Sequence, residues 1–214
     1  MSMRRGAVLT APIAVPVSMA GVFAWLSHRV SPQAAYNVGF MVYWLAWCTG
    51  FPIWILGPQR AARVLVQGQR PTASETLLLL LPVAGAVATE LLPNREKIDM
   101  PVALVMAAAG VINGTGEELL WRGVFLEQFP NDLLRGLLWP LAGFSLWHLA
   151  PQMIFPSRLG RWRFLMGAAL VGSMSAISAR RSGGLRNCLA PHIATDSCGV
   201  TAARFRLGRF QDEE

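Results

Sequence analysis

The sequence predicts an all-α protein, a polytopic transmembrane helix bundle with about six to seven membrane segments. Three observations carry this. Of the 214 residues, 53% are hydrophobic and only 14% charged. Mean hydropathy is +0.41. The charges fall in short clusters between apolar stretches close to the ~20 residues that a helix needs to cross a bilayer. Such stretches are helical because a helix satisfies its own backbone polar groups where no water is present.

Taken in order, the apolar stretches are 7–26, 36–56, 76–92, 101–125, 133–149, 164–179 and 185–203. The first follows Arg4 and Arg5, as the apolar part of a signal peptide would. It is longer than such a segment usually is, and no small-x-small cleavage site precedes a soluble part, so a retained helix is expected. Residues 69–74 (Gln-Arg-Pro-Thr-Ala-Ser) read as a linker that caps the next helix. The last three stretches are short or interrupted by polar residues. The polar membrane residues cluster late in the chain. This divides it into two peripheral transmembrane helices with a linker (1–74), a helical core (75–203) and a charged C-terminal tail (204–214).

Net charge is +7 and the isoelectric point is near 10.6. In a soluble chain that balance would raise nucleic acid as a partner. Here the arginines sit between apolar stretches: Arg60, Arg63 and Arg70; Arg158, Arg161 and Arg163; Arg180, Arg181 and Arg186; Arg204, Arg206 and Arg209. That distribution suits anionic lipid headgroups, so the bilayer is the expected partner and nucleic acid is not. Successive loops carry similar positive charge and do not fix an orientation. Cys48, Cys188 and Cys198 lie in apolar segments without metal-ligand spacing or a disulfide pattern, and read as small buried residues.

Residues 114–123 (Gly-Thr-Gly-Glu-Glu-Leu-Leu-Trp-Arg-Gly) place three charges at the end of an apolar run with none. A charge at the bilayer centre costs about 2.5–3.5 kcal/mol on insertion scales. Glu118 and Arg122 are four apart and share a helix face, with the acid on the favourable N-terminal side. Glu117 points about 100° away and needs another partner. The plainer reading is a helix end solvated among headgroups.

Of the three histidines, His28 ends the first apolar stretch beside Arg29 and reads as interfacial. His148 lies in an apolar helix one turn after Phe144. His192 and Asp196 are four apart, so the carboxylate can orient the imidazole. Pro191 suits a first helical turn and would place His192 near a helix start. Each histidine alone is more often a packing residue. Two imidazoles and two carboxylates in one apolar bundle are harder to ascribe to packing.

Glu117-Glu118-x-x-x-Arg122, Phe144-x-x-x-His148 and His192-x-x-x-Asp196, in that order, resemble the three motifs of the CAAX protease and bacteriocin-processing (Abi) family. These are intramembrane proteases related to the Ras-converting enzyme. The resemblance covers roughly residues 76–203. It implies an intramembrane endopeptidase that hydrolyses a peptide bond of a membrane-associated or lipidated substrate, and a place in the cytoplasmic membrane of a bacterium. By the same resemblance Glu117 is the general base and His148 shares the attacking water. His192 and Asp196 face the oxyanion, and Glu118, Arg122 and Phe144 support the site. Asparagine is frequent in the family where this chain has Asp196. An ionised carboxylate cannot donate a hydrogen bond, whereas a neutral one can; the sequence leaves both open.

Metal-free catalysis is favoured over zinc, whose ligands would be Glu117, His148 and His192. A catalytic zinc takes three protein ligands and still needs a base, which uses nearly every candidate. No His-Glu-x-x-His helix is present. The alternative to an enzyme is a catalytically inactive relative acting as a membrane scaffold, immunity factor or binding protein, because fold does not fix function.

Overall fold

A computed structural model describes residues 3–157, 160–199 and 205. Arg158, Arg204, Arg206 and Arg209, the end of the last apolar stretch (200–203) and the charged tail apart from Phe205 lie outside the described residues.

The described chain is helical throughout, without strands. Helix α1 spans Met3–Ser27 and α2 Pro32–Leu56. A short α3 covers Pro58–Val66, followed by α4 over Ala73–Lys97. Then come α5 (100–128), α6 (134–147), α7 (Arg161–Ser182) and α8 (Arg186–Gly199). Helices α1, α2 and α4 are long and apolar enough to cross a membrane. Helices α5 to α8 lie where the remaining apolar stretches were expected, and α3 is a short additional helix between two of them.

Local chemistry sets the boundaries. The Ser31 hydroxyl accepts from the Ala34 amide ahead of α2, whose first turn carries Pro32,. Thr72 and Glu75 form a reciprocal capping box at the start of α4,. Asp99 Oδ1 accepts from the Val102 amide and Pro101 occupies the first turn of α5. Gly183, at φ 77°, ends α7 in the left-handed region,. The amides of Leu185 and Arg186 then donate to the carbonyls of Val64 and Gln67, which fastens the start of α8 to the end of α3. Pro191, expected to open a helix, therefore sits inside α8, and His192 is mid-helix. The helix starts five residues earlier because the Gly183–Gly184 turn and these backbone bonds already orient it.

An aromatic core fills the space between α1, α2, α5 and α6, with Phe23, Tyr36, Tyr43, Trp121, Phe144 and Trp147 all buried. The outside is apolar too. On α4, Leu77, Leu78, Leu80 and Leu81 are exposed and Leu79 is buried. A surface of this kind is at rest in hydrocarbon and not in water. Together with the three long apolar helices, it makes the chain an integral membrane protein.

The pairing that builds the site is between α5 and α8. Gly110 and Gly114, four apart, present a strip without side chains to Ser197 and Ile193. A Cβ on Gly114 would lie 3.0 Å from the Ile193 amide nitrogen and from its Cγ1. Small residues at this spacing let two helix backbones approach closely. The acidic turn of α5 thereby reaches the His-Asp turn of α8.

Candidate active site

Glu117 is buried, and its two oxygens have different surroundings. Oε1 accepts from the Tyr43 hydroxyl at 3.1 Å and from Trp147 Nε1 at 3.0 Å. The Tyr43 oxygen in turn accepts from Trp121 Nε1 at 2.9 Å. The Tyr43 and Trp147 rings stack at 3.7 Å, 20° from parallel, so both donors are held by packing,. The second oxygen, Oε2, lies 3.6 Å from His192 Nε2. Two donors on one oxygen fix the carboxylate plane and turn the other oxygen to the reacting side.

Glu118 turns the other way and is fully buried. Its Oε1 lies 2.7 Å from His192 Nδ1. Since a carboxylate only accepts, Nδ1 carries a proton. The Cys188 thiol donates to Oε2 at 3.2 Å. The expected partner, Arg122, is farther, with Nη1 3.6 Å from Oε1. Residues Leu119–Gly123 adopt a π-helical turn, which is wider than an α turn, and the expected i,i+4 ion pair is kept at this longer distance; such turns are frequent at functional sites. The Arg122 guanidinium also lies over the Phe144 ring, 4.1 Å from its centroid. Its Nη1 and Nη2 have no hydrogen-bond partner among the described residues. Cation–π attraction and the nearby Glu118 charge are its compensation.

His148 closes α6, where the chain leaves the helix for a short 3-10 turn over Pro151–Met153. Its Nδ1 is 2.7 Å from the Phe144 carbonyl oxygen. That acceptor requires a proton on Nδ1, so in the neutral ring Nε2 is the accepting nitrogen. The Phe144 ring lies 4.6 Å from the imidazole and Phe164 packs at 5.6 Å. His192 makes its shorter carboxylate contact with Glu118, and the Asp196 contact expected from the i,i+4 spacing is present but looser. Asp196 Oδ2 sits 3.6 Å from Nε2, and the same oxygen accepts from Asn113 Nδ2 at 2.8 Å.

Glu117, Phe144, His148, His192 and Asp196 line one cavity of about 230 Å³. Glu118 and Arg122 stand behind it. The walls are largely apolar, with Tyr36, Phe40, Trp147 and Phe164 among them, and Arg163 is the lining arginine. Tyr43, Trp147 and Asn113 are site residues that motif spacing did not identify. Asn113 had a visible signal, being the one amide in the apolar run before Glu117 and one turn upstream of it. Tyr43 and Trp147 had none, since aromatic residues in an apolar span read as core.

The metal-ligand set expected from sequence was Glu117, His148 and His192. Among the described residues the set that converges is Glu117, His192 and Asp196, whose ligand atoms lie within 4.8 Å of one another. The difference arises because Asp196, one turn after His192 on α8, faces the same point, whereas His148 approaches from α6. The Glu118 bond to His192 Nδ1 is the kind of support that a metal-binding imidazole receives. The donor types and their convergence thus fit a divalent ion.

A scan against family models matches residues 99–198 to the type II CAAX prenyl endopeptidase Rce1-like family. No curated protein and no solved structure matches the chain. The matched stretch contains Glu117, Phe144, His148, His192 and Asp196, the five residues of the three motifs that line the cavity. Over these 100 of its 214 residues the chain is similar to the Rce1-like family.

Proposed function

We propose that this protein is an intramembrane endopeptidase that hydrolyses a peptide bond of a membrane-associated or lipidated protein, using water activated by Glu117. The observation that carries the reading is the asymmetry of Glu117. One oxygen is held by Tyr43 and Trp147, and the other is turned to a cavity that also contains His148, His192 and Asp196. A glutamate at the surface has no need of such a clamp, and one that only packs has no need of an oxygen turned to a cavity.

In this mechanism a water lies between Glu117 Oε2 and His148. Oε2 takes a proton as the water oxygen attacks the scissile carbonyl carbon. The carbonyl π electrons move to oxygen, giving a tetrahedral oxyanion that faces the His192 Nε2 side of the cavity. Glu117 then returns its proton to the amide nitrogen, the C–N bond breaks, and the amine leaves. Glu118 holds His192 in place, and the Arg122–Phe144 contact fixes α5 against α6. Residues 75–203 form the catalytic core and residues 1–74 flank it. The resemblance to bacteriocin-processing enzymes supports a place in the cytoplasmic membrane of a bacterium.

A divalent ion would be held by Glu117 Oε2, His192 Nε2 and Asp196, and would acidify a bound water and polarise the carbonyl. That arrangement consumes Glu117 as ligand and leaves His148 as the sole candidate base. The metal-free reading keeps every group in a role.

The test is hydrolysis of a prenylated C-terminal peptide and of an unmodified membrane peptide by the protein in liposomes, beside Glu117→Gln. Loss of the general base costs about 10²–10⁴-fold. Glutamine retains a carbonyl oxygen for Tyr43 and Trp147, so yield should be unchanged. Equal activity in the two proteins, or none in wild type on either peptide, would favour a non-catalytic scaffold or binding protein.

A further inference from the structure

We infer that Asn113 is a further catalytic residue, its Nδ2 amide donating to the oxyanion formed in the cavity. The inference rests on the hydrolytic reading above and completes it, because that reading gives the developing charge only the His192 ring, whose Nε2 also faces Glu117 Oε2 and Asp196 Oδ2 at 3.6 Å. Glu117 and Asp196 are acceptors. The Thr195 hydroxyl donates to the Pro191 carbonyl at 2.8 Å. The amide of Asn113 also lines the cavity, one turn before Glu117 on the same face of α5.

Its orientation is fixed by its neighbours. Trp44 Nε1 donates to Asn113 Oδ1 at 2.8 Å. An indole nitrogen is a donor only, so the amide oxygen must face Trp44 and the NH₂ must face the opposite way. On that side Nδ2 donates to Asp196 Oδ2 at 2.8 Å. An NH₂ group has two hydrogens, and the Asp196 bond uses one. The second lies in the amide plane, and Asn113 lines the cavity. Asp196 thus acts as an acceptor that holds the amide, and the donor facing the substrate oxygen comes from α5. A donor locked from both ends needs little reorganisation when charge appears, which is the property that makes oxyanion stabilisation large.

The reaction balances as written above. Asn113 gains and loses no proton; it lends one N–H to the oxygen that receives the carbonyl electron pair.

The experiment uses the full chain in liposomes with a membrane peptide substrate and with the same peptide bearing a tetrahedral phosphonate at the scissile position. Asn113→Leu should lower kcat by about 10²–10³-fold, as removal of one oxyanion donor does, with KM changed little. In a Glu117→Gln background, which prevents turnover, the same substitution should weaken phosphonate binding far more than binding of the intact peptide. Asn113→Asp keeps the shape and the acceptor for Trp44, so it guards against a folding defect in the leucine variant. It should be equally inactive. Asn113→Asp combined with Asp196→Asn puts an amide back into the pair and should recover much of kcat. An unchanged kcat in Asn113→Asp would overturn the inference. So would parallel losses of phosphonate and peptide binding, which would make Asn113 a positioning residue. Absence of Glu117-dependent hydrolysis in wild type would remove the protease reading instead, and the ratio of the two binding constants would still judge Asn113.

Discussion

Glu118 Oε1 lies 2.7 Å from His192 Nδ1, against 3.6 Å from Arg122 Nη1. The shorter contact joins α5 to α8 across the site, and the longer one stays within α5. Glu118 therefore has two separable duties, to hold the imidazole and to neutralise the guanidinium.

The two duties predict different responses. Glu118→Gln should lower activity about 10–100-fold, the usual cost of losing the support behind a functional histidine. It should also lower yield, because removing one member of a buried ion pair costs about 3–5 kcal/mol. Glu118→Gln with Arg122→Leu should regain yield but not activity, since His192 still lacks its carboxylate. Melting temperature in detergent and peptide hydrolysis, read side by side, check this. Recovery of both together would reduce Glu118 to a partner of Arg122.

Tyr43→Phe keeps the ring stacked on Trp147 but deletes the hydroxyl. Glu117 loses one of two donors and the buried Trp121 indole loses its acceptor. Leaving such a group unpaired costs about 1–3 kcal/mol. The variant should be measurably less stable, with a fall in kcat smaller than that of Glu117→Gln. A stable variant with wild-type kcat would mean that Trp147 alone holds the carboxylate.

Gly114→Ala adds a methyl 3.0 Å from the Ile193 amide nitrogen. Overpacking of this kind costs about 1–3 kcal/mol. It should also part α5 from α8, so activity should fall more than stability does. Gly85→Ala is the matched control, since a Cβ there meets nothing within 4 Å. It should be neutral or stabilising by about 0.5–1 kcal/mol through helix propensity. Equal behaviour of the two variants would remove the close helix contact from the account.

Stringent chelation followed by dialysis should leave hydrolysis intact. Elemental analysis of the purified protein provides the companion measurement. One zinc per chain, with activity lost on removal and restored on return, would instead make Glu117, His192 and Asp196 ligands.

Much of this was legible in the sequence. Apolar length reveals helices, because the bilayer imposes a length. Polar residues stranded in apolar runs reveal Glu117, His148, His192 and Asp196 as candidates, because each needs a partner. What the sequence hides is which partner. Glu117 is clamped by Tyr43 and Trp147, more than seventy and about thirty residues away, as the separations of 74 and 30 show. The π turn at Leu119–Gly123 carries no residue signature, yet within it Arg122 both pairs with Glu118 and lies over the Phe144 ring. Pro191 has the chemistry of a helix start and is overruled by a turn and two backbone bonds upstream.

Tyr43 and Trp44 belong to α2, outside the matched stretch 99–198, and bond directly to Glu117 and Asn113 within it. The inherited segment and the working machine therefore have different edges. Transplanting residues 99–198 alone into another membrane protein would carry the acids, the histidines and the aspartate, but not the hydroxyl and indole that aim two of its side chains. A host would have to supply a tyrosine and a tryptophan one residue apart on a neighbouring helix. Substitutions at Tyr43 or Trp44 would then alter how Glu117 and Asn113 are aimed while leaving every residue of the matched stretch in place.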